Sequence, residues 1–316
     1  MPKGRSATAA TTIPRDAATV VADVGGGRTV RLTNLRKPFW PALGLTKGDL
    51  LRYYAAVAPV LLPHLRDRPM VMKRYPDGVG GSFFFMKQVP EPHPEWLETC
   101  RVPHTSGKTI TFPLIQDLAA LLWVVNLGCI DLNPWASRCA DPDRPDVLYF
   151  DLDPGPATAF AQVCETALAI RDALRTLAMP ALVKTSGSRG LHVAVPIRPG
   201  PSAKDVFAFA RALAAELAAR HPKLMTVEFR LAARPTDRVL VDYNRNVWGQ
   251  TQASIYSVRP HPEAAVSTPV TWQEVSRGIA IADFRIDNVP ARIRRRGDLW
   301  APLLARRGRA DLGRFL

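Results

Sequence analysis

Cysteine is scarce and unpatterned in this chain. Four occur in 316 residues, at positions 100, 129, 139 and 164. With no Cys-x-x-Cys and no paired histidine spacing, a zinc ribbon or finger is excluded, and reduced, buried thiols are expected rather than a disulfide frame. Acidic residues are also in the minority: 28 against 42 lysines and arginines, a net charge of +14. That balance biases the chain toward polyanions. No Gly-x-x-x-x-Gly-Lys-Ser/Thr occurs, so there is no Walker A loop. The N-terminus lacks an uninterrupted apolar stretch, which indicates neither export nor membrane insertion and makes a cytoplasmic, nucleoid-associated location the expectation. There is no internal repeat.

What is present is enough to fold. Hydrophobic residues make up 47% and charged residues 22%, and the length exceeds a single ordinary core, so one large or two coupled domains are expected. Residues 1–27, closed by Gly25-Gly26-Gly27, read as a disordered lead. Structure is expected from Arg28, as an N-terminal module (28–140), a central module (141–262) and C-terminal elements (263–300). A basic tail (301–316) with Arg306, Arg307 and Arg309 follows.

The chain is organised around Val147-Leu148-Tyr149-Phe150-Asp151-Leu152-Asp153-Pro154, an apolar run stopped by Pro154-Gly155-Pro156. It reads as a buried strand whose alternation puts Asp151 and Asp153 on one side at its mouth. Two carboxylates held that close raise each other's pKa unless a cation lies between them, which points to a divalent metal. The competing reading is a turn with two solvated acids. A second apolar strand, Val239-Leu240-Val241, also ends in a carboxylate, Asp242.

Around these strands the pattern reads helix over 158–177, strands at 182–184 and 191–195, helix over 202–219, and strands near 226–229, 239–242 and 253–258. The order strand–helix–strand–strand–helix–strand from Val147 to Asp242 is that of an RNA-recognition-motif-like split βαβ sheet. In it the first and last strands can lie side by side and bring the three aspartates together. The expected class is therefore α/β (α+β), with an additional α/β module ahead of the sheet. In that module, Thr46 and Asp49 resemble a capping box for a helix over 50–62. A strand over 69–75 carries Lys73, and Phe83, Phe84 and Phe85 follow. Three consecutive aromatics cannot share one core face, so at least one is expected outward as a stacking platform for a base, against the alternative of a wholly buried strand. Lys37 and Lys47 flank a loop and helix start where a phosphate could be received, unless they are simply solvated.

Phosphoryl transfer needs charge neutralised on the attacking and leaving oxygens, and carboxylate-bridged cations do this. The turn Thr185-Ser186-Gly187-Ser188-Arg189-Gly190 offers hydroxyls, backbone N–H groups and a guanidinium, a plausible cradle for a triphosphate. His192 follows it, either as a core histidine or as a phosphate or sugar contact. Arg259 could add a further cation.

Taken together, Phe150-Asp151-Leu152-Asp153-Pro154, Thr185 to His192 and Val239-Leu240-Val241-Asp242 resemble the three motifs of the archaeo-eukaryotic primase superfamily. More narrowly, they resemble the polymerase domain of bacterial ligase D and its stand-alone relatives. The similarity runs from about Arg28 to Trp300. It implies template-directed addition of nucleotides, preferring ribonucleotides, at gaps, nicks or broken DNA ends in end joining or gap repair. It implies two Mn2+ (or Mg2+) ions on Asp151, Asp153 and Asp242, and NTP or dNTP bound by Ser186, Arg189, Gly190, His192, Arg259 and Lys73. Lys37 and Lys47 would hold the 5′-phosphate across a gap, and Phe84 or Phe85 would stack on the template. No ligase or nuclease fits in the remaining residues, so the resemblance implies a separate DNA ligase and leaves room for an end-binding protein.

Three positions depart from the pattern: Arg189 stands where lysine is frequent, Asn133 near a frequent histidine, and Gln250 near a frequent lysine. Arg and Lys do not hold phosphate alike. Two rivals remain at this stage. One is a DNA-binding module without catalysis. The other is a haloacid-dehalogenase-like phosphatase, disfavoured because Pro154 and Gly155 follow Asp153.

Overall fold

The structure is a computed structural model that describes residues 11–103 and 107–316. Its centre is a six-stranded sheet in the order Met225–Thr226, Val239–Asp242, Val147–Pro154, Leu191–Pro196, Leu182–Thr185, Pro269–Val270. The four middle strands are antiparallel neighbours and run fourth, first, third, second in chain order. This is the expected split βαβ arrangement. Val147, Leu148, Phe150 and Leu152 of the first strand are buried, as an apolar run demands.

Two helices pack on this sheet, Phe160–Thr176 and Ala203–Arg220. The first buries Val163, Ala167, Ile170 and Leu174, one stripe at helical spacing. The second starts at a capping box in which Ser202 Oγ accepts from the Asp205 N–H and the Asp205 carboxylate accepts from the Ser202 N–H.

The N-terminal module adds a three-stranded sheet, Phe84–Met86, Met70–Arg74 and Cys129–Pro134. A long helix, Lys47–Leu65, opens on the expected Thr46–Asp49 capping box. Asp117 caps the helix Leu118–Asn126 that packs beside it. The module is not separate from the central sheet: one apolar core runs through both. Tyr54 donates its hydroxyl to Ile130 O and accepts from Val258 N–H, and Tyr53 donates to Tyr256 O, so the long helix is tied to the segment beyond the acidic strands.

The structure departs from the sequence reading in four places. Order begins before Arg28: Val20–Asp23 pairs antiparallel with Thr29–Leu32 across the glycine turn, and Ile13 is buried. Residues 1–10 of the expected lead lie outside the described residues. The segment 301–316 is not a free tail, since Ala310 bridges to Ile197 and Leu312 is fully buried; two apolar anchors outweigh the basic composition. The stretch 253–258 is not a strand. Ser254 N–H donates to Leu132 O, Tyr256 N–H to Ser267 O, and Tyr256 takes a positive φ of 56°, so its hydrogen bonds go to separate partners instead of one ladder. Finally, Cys100 and Cys139 form a disulfide with Cα atoms 5.8 Å apart, while Cys129 and Cys164 are buried thiols. The hairpin Thr99–Pro103/Thr109–Pro113 places Cys100 there, a proximity that the separation of 39 residues does not reveal.

Candidate active site

Sheet register assembles the site. Asp151 lies opposite Asp242 on one side and opposite His192 on the other, and His192 lies opposite Lys184. Four residues from four strands thus form one transverse row, and directly opposed residues share a face. Asp153, two residues beyond Asp151, joins them. Carboxylate oxygens of Asp151, Asp153 and Asp242 all lie within 4.8 Å of one another.

Three carboxylates so close require compensation. Arg245, three residues past Asp242, puts Nε 3.2 Å from Asp151 Oδ2 and 3.4 Å from Asp242 Oδ2. Burial alone would raise the Asp151 carboxyl, but His192 and Arg245 beside it hold it well below the usual range. Asp153 has the opposite fate: burial, and then the neighbouring Asp151, push it up to about 7. Asp242 is also raised, chiefly by burial. A donor set of hard carboxylate oxygens, one of them reluctant to ionise unaided, fits a divalent Mg2+ or Mn2+ type of ion.

His192 Nε2 is 3.2 Å from Asp151 Oδ1, and its Nδ1 is 2.6 Å from the Lys184 amine. Burial, and then Lys184, lower the imidazole to about 4, so the ring is neutral near pH 7. Lys184 is fully buried, donates to Ser267 Oγ at 2.5 Å, and is pulled well below the usual lysine range by burial and Arg259. With Nδ1 accepting from Lys184, the single ring proton sits on Nε2 and is donated to Asp151. Both ring nitrogens of His192 are therefore used inside the protein.

The turn after Thr185 is locally built. Ser186 Oγ accepts from the N–H groups of Ser188 and Gly190. Gly190 packs so tightly on the acidic strand that an added Cβ would stand 1.9 Å from Leu152 O. Arg189 is exposed at the tip. Arg259 donates to Ser186 O at 2.8 Å and lies 3.2 Å from Asp131 Oδ2, so a buried acid braces it toward the turn.

Of these groups, Asp131, Asp151, Asp153, Ser186, His192, Arg245 and Arg259 line a cleft of about 220 Å3, together with Lys73, Phe85, Asn133 and Gln252, whereas Asp242, Arg189 and Gly190 stand outside its lining. Lys73 Nζ sits 4.3 Å from the Phe83 ring centroid and 5.5 Å from those of Tyr75 and Phe85. Phe83, Phe84 and Phe85 are all exposed, which excludes the wholly buried strand, and Arg74 lies over Phe84.

Lys37 and Lys47 form a second basic site outside this cleft, joined by a hydrogen bond from Lys47 N–H to Lys37 O. Lys37 Nζ pairs with Asp77 at 2.6 Å, and Lys47 Nζ, nearly buried, donates to Thr33 O at 2.8 Å. Sequence reasoning missed Lys184, Asp131, Arg245 and Gln252. Only Arg245, at a helical-turn spacing from Asp242, carried a local signal. Gln250, singled out above, stands outside the cleft wall, which Gln252 supplies.

A split βαβ sheet with this acidic cluster and its Ser/Gly/Arg turn defines a class, the nucleotidyltransferases of the primase-polymerase type. Within it the chain belongs to the family described as LigD, primase-polymerase domain, whose profile matches residues 46–300. The multifunctional non-homologous end joining protein LigD of Mycolicibacterium smegmatis is 35% identical over 276 residues, 87% of this chain and 36% of the relative. The Mycobacterium tuberculosis LigD is 36% identical over 278 residues, 85% of this chain and 36% of the relative. The bifunctional LigD of Bacillus subtilis is 27% identical over 270 residues. The chain therefore spans about a third of the length of the mycobacterial relatives it matches. Among solved structures, the polymerase domain of Mycobacterium tuberculosis ligase D in complex with DNA superposes with a TM-score of 0.83 at 35% identity, covering 88% of this chain and 98% of that one. No described helix is long and apolar enough to cross a membrane.

Proposed function

We propose that this protein extends a DNA primer across short gaps and at broken ends by template-directed nucleotide addition, in end joining or gap repair. A DNA ligase then seals the nick, and an end-binding protein is a natural recruiting partner. The observation that carries the reading is the convergence of Asp151, Asp153 and Asp242, two of which line a cleft that also holds Lys73, Arg245, Arg259 and Phe85.

Asp151, Asp153 and Asp242 would hold two ions, Mn2+ in preference to Mg2+, which when bound supply charge neutralisation at the attacking and leaving oxygens. Asp242 also stands near the primer 3′-hydroxyl. Ser186 through its hydroxyl, Arg189 and Arg259 bind the triphosphate of the incoming nucleotide, with Gly190 seating the turn that carries the first two and Arg259 steadied by Asp131. Lys73, set among aromatic rings, presents a cation to the same phosphates. His192 faces this site and fixes the orientation of Asp151 through its Nε2 proton. Phe84 or Phe85 stacks on a template base, which suits a sequence-independent grip. Lys37 and Lys47 receive the 5′-phosphate on the far side of the gap. Ribonucleotides are the preferred substrates.

The test is extension of a labelled primer across a short 5′-phosphorylated gap with Mn2+, offering either ribo- or deoxyribonucleotides, and comparing wild type with Asp151→Ala. Extension by wild type alone is expected, stronger with ribonucleotides. No extension under any condition, with gap binding intact, would leave a DNA-binding module without catalysis.

A further inference from the structure

A second cavity, of about 250 Å3, adjoins the cleft and takes no part in the site described so far. Its walls are Trp135, Trp248, Phe112, Ile110, Lys87 and Gln250, among others. The two cavities share their supporting segments. Phe85 lines the cleft and Lys87 the second cavity; Asn133 lines the cleft and Trp135 the second cavity; Thr251 lines the cleft and Gln250 the second cavity. Residues two apart on an extended segment lie on one face about 7 Å apart, so the second cavity sits one short step from the first along two of the three walls.

We propose that this cavity receives one unpaired base of the DNA strand that passes through the cleft, an inference that rests on the polymerase reading above. Its volume is below the several hundred Å3 usual for a whole small-molecule ligand and suits a single ring system. Trp135 meets Phe112 at 5.4 Å and Trp248 at 5.1 Å between ring centroids, both edge to face. Trp248 is only half-buried, so an aromatic surface remains open to the cavity. Such faces bind any base without reading its identity.

Polar groups complete the match. Trp135 Nε1 is buried and has no hydrogen-bond partner among the described residues, and a base offers ring-nitrogen and carbonyl acceptors. Gln250 and Lys87 are exposed at the mouth, where an amide can reach a base edge and an ammonium the adjoining phosphate. The wall is supported on its own: Val71, Cys100, Val102, Phe112, Leu114 and Trp135 form a small core separate from the main one, tied by the Cys100–Cys139 disulfide. Gly249, at φ 77°, lets the following loop cross the indole of Trp135, where a Cβ would already touch Cζ2 and Cη2 at 3.7 Å.

The experiment moves an abasic site through the unpaired template positions of a 5′-phosphorylated gap and measures affinity by anisotropy for wild type, Trp248→Ala and Trp248→Phe. At one position the abasic site should weaken wild-type binding on the order of tenfold, the weight of one stacked base. Trp248→Ala should lose that much on intact DNA and nothing more on the abasic DNA, and Trp248→Phe should recover most of it. Wild type indifferent to abasic sites at every position, while Asp151-dependent extension persists, would overturn the base pocket alone. So would losses from the variant and the abasic site that simply multiply. No binding to gapped DNA by wild type would remove the polymerase reading and the pocket with it. The wild-type arm does not depend on how well any variant folds.

Discussion

Asp151 and Asp242 face each other directly across two antiparallel strands, a like-charge register pair at the heart of a sheet. Opposed like charges in a strand pair cost stability, so the pair persists for a purpose other than folding. Asp242→Asn should leave the melting temperature unchanged or higher, abolish the stabilisation given by added Mn2+, and reduce primer extension at least a hundredfold. Thermal melts with and without Mn2+, alongside extension assays, check all three. Retained extension would remove the metal assignment.

Asp153 makes a pH prediction. Its carboxyl is raised from the ordinary 3.8 to about 7, chiefly by burial. A group raised in the folded state contributes stability that is fully present below its unfolded pKa and lost as pH climbs to the folded one, a window from about pH 4 to 7. His192, lowered to about 4, acts in the opposite sense over part of that window, so wild type alone will not show the effect cleanly. The difference between Asp153→Asn and wild type isolates it. The variant should gain relative stability from pH 4 to 7, on the order of 2 kcal/mol in urea unfolding with chelator present, and Mn2+ should erase the gain. A pH-independent difference would contradict the burial argument.

Gly190 is the contact that seats the Ser186 turn on the acidic strand. An added Cβ would stand 1.9 Å from Leu152 O, and backbone cannot give way as a side chain can. Gly190→Ala should destabilise by about 3 kcal/mol or more. Gly200, with nothing within 4 Å of its would-be Cβ, provides the control: Gly200→Ala should stay within about 0.5 kcal/mol in the same denaturant titration.

These residues differ in how far the sequence disclosed them. The two acidic strands were legible because a buried strand is written as an apolar run, and each run ended in aspartate. The βαββαβ order then fixed which strands could be neighbours, and with it the meeting of Asp151 and Asp242. Lys184 was not legible, because a single lysine in Leu182-Val183-Lys184-Thr185 reads as a solvated side chain until register sets it against His192. Asp131 became visible only once Arg259 reached it from 128 residues away. The stretch 253–258 has strand-like composition, but its backbone bonds are shared between Leu132 and Ser267, a property of its neighbours and not of its own residues. The Cys100–Cys139 pairing likewise depends on where a hairpin folds back.

Lys184 is a positioning residue for Asp151, acting through His192. Its amine meets His192 Nδ1 at 2.6 Å and so leaves the ring proton on Nε2, toward Asp151. Lys184→Met keeps the volume but leaves buried His192 Nδ1 without its partner and takes a donor from Ser267 Oγ, so the fold should lose about 1–3 kcal/mol while His192 loses the group that selects its tautomer. Turnover should fall at least tenfold with the KM for nucleotide little changed, and the Mn2+ concentration needed for half-maximal rate should rise. Unchanged turnover and metal dependence would reduce Lys184 to a packing role.

Lys47 is unusual among surface-site lysines in being nearly buried, with its amine lowered to about 8 by burial, then by Lys37 and Arg74. A phosphate placed between Lys37 and Lys47 would favour the charged amine, so binding to a 5′-phosphorylated gap should weaken as pH rises from 7 to 9, while binding to the 5′-hydroxyl gap changes little. Lys37→Ala with Lys47→Ala should remove the preference for the phosphorylated end, on the order of tenfold at moderate salt. Lys47→Arg should keep the preference through pH 9, because a guanidinium does not deprotonate there. Anisotropy titrations on the two gap substrates across that range decide the matter. Equal losses on both ends would make the pair a general backbone contact, and a pH-independent preference would place the phosphate elsewhere.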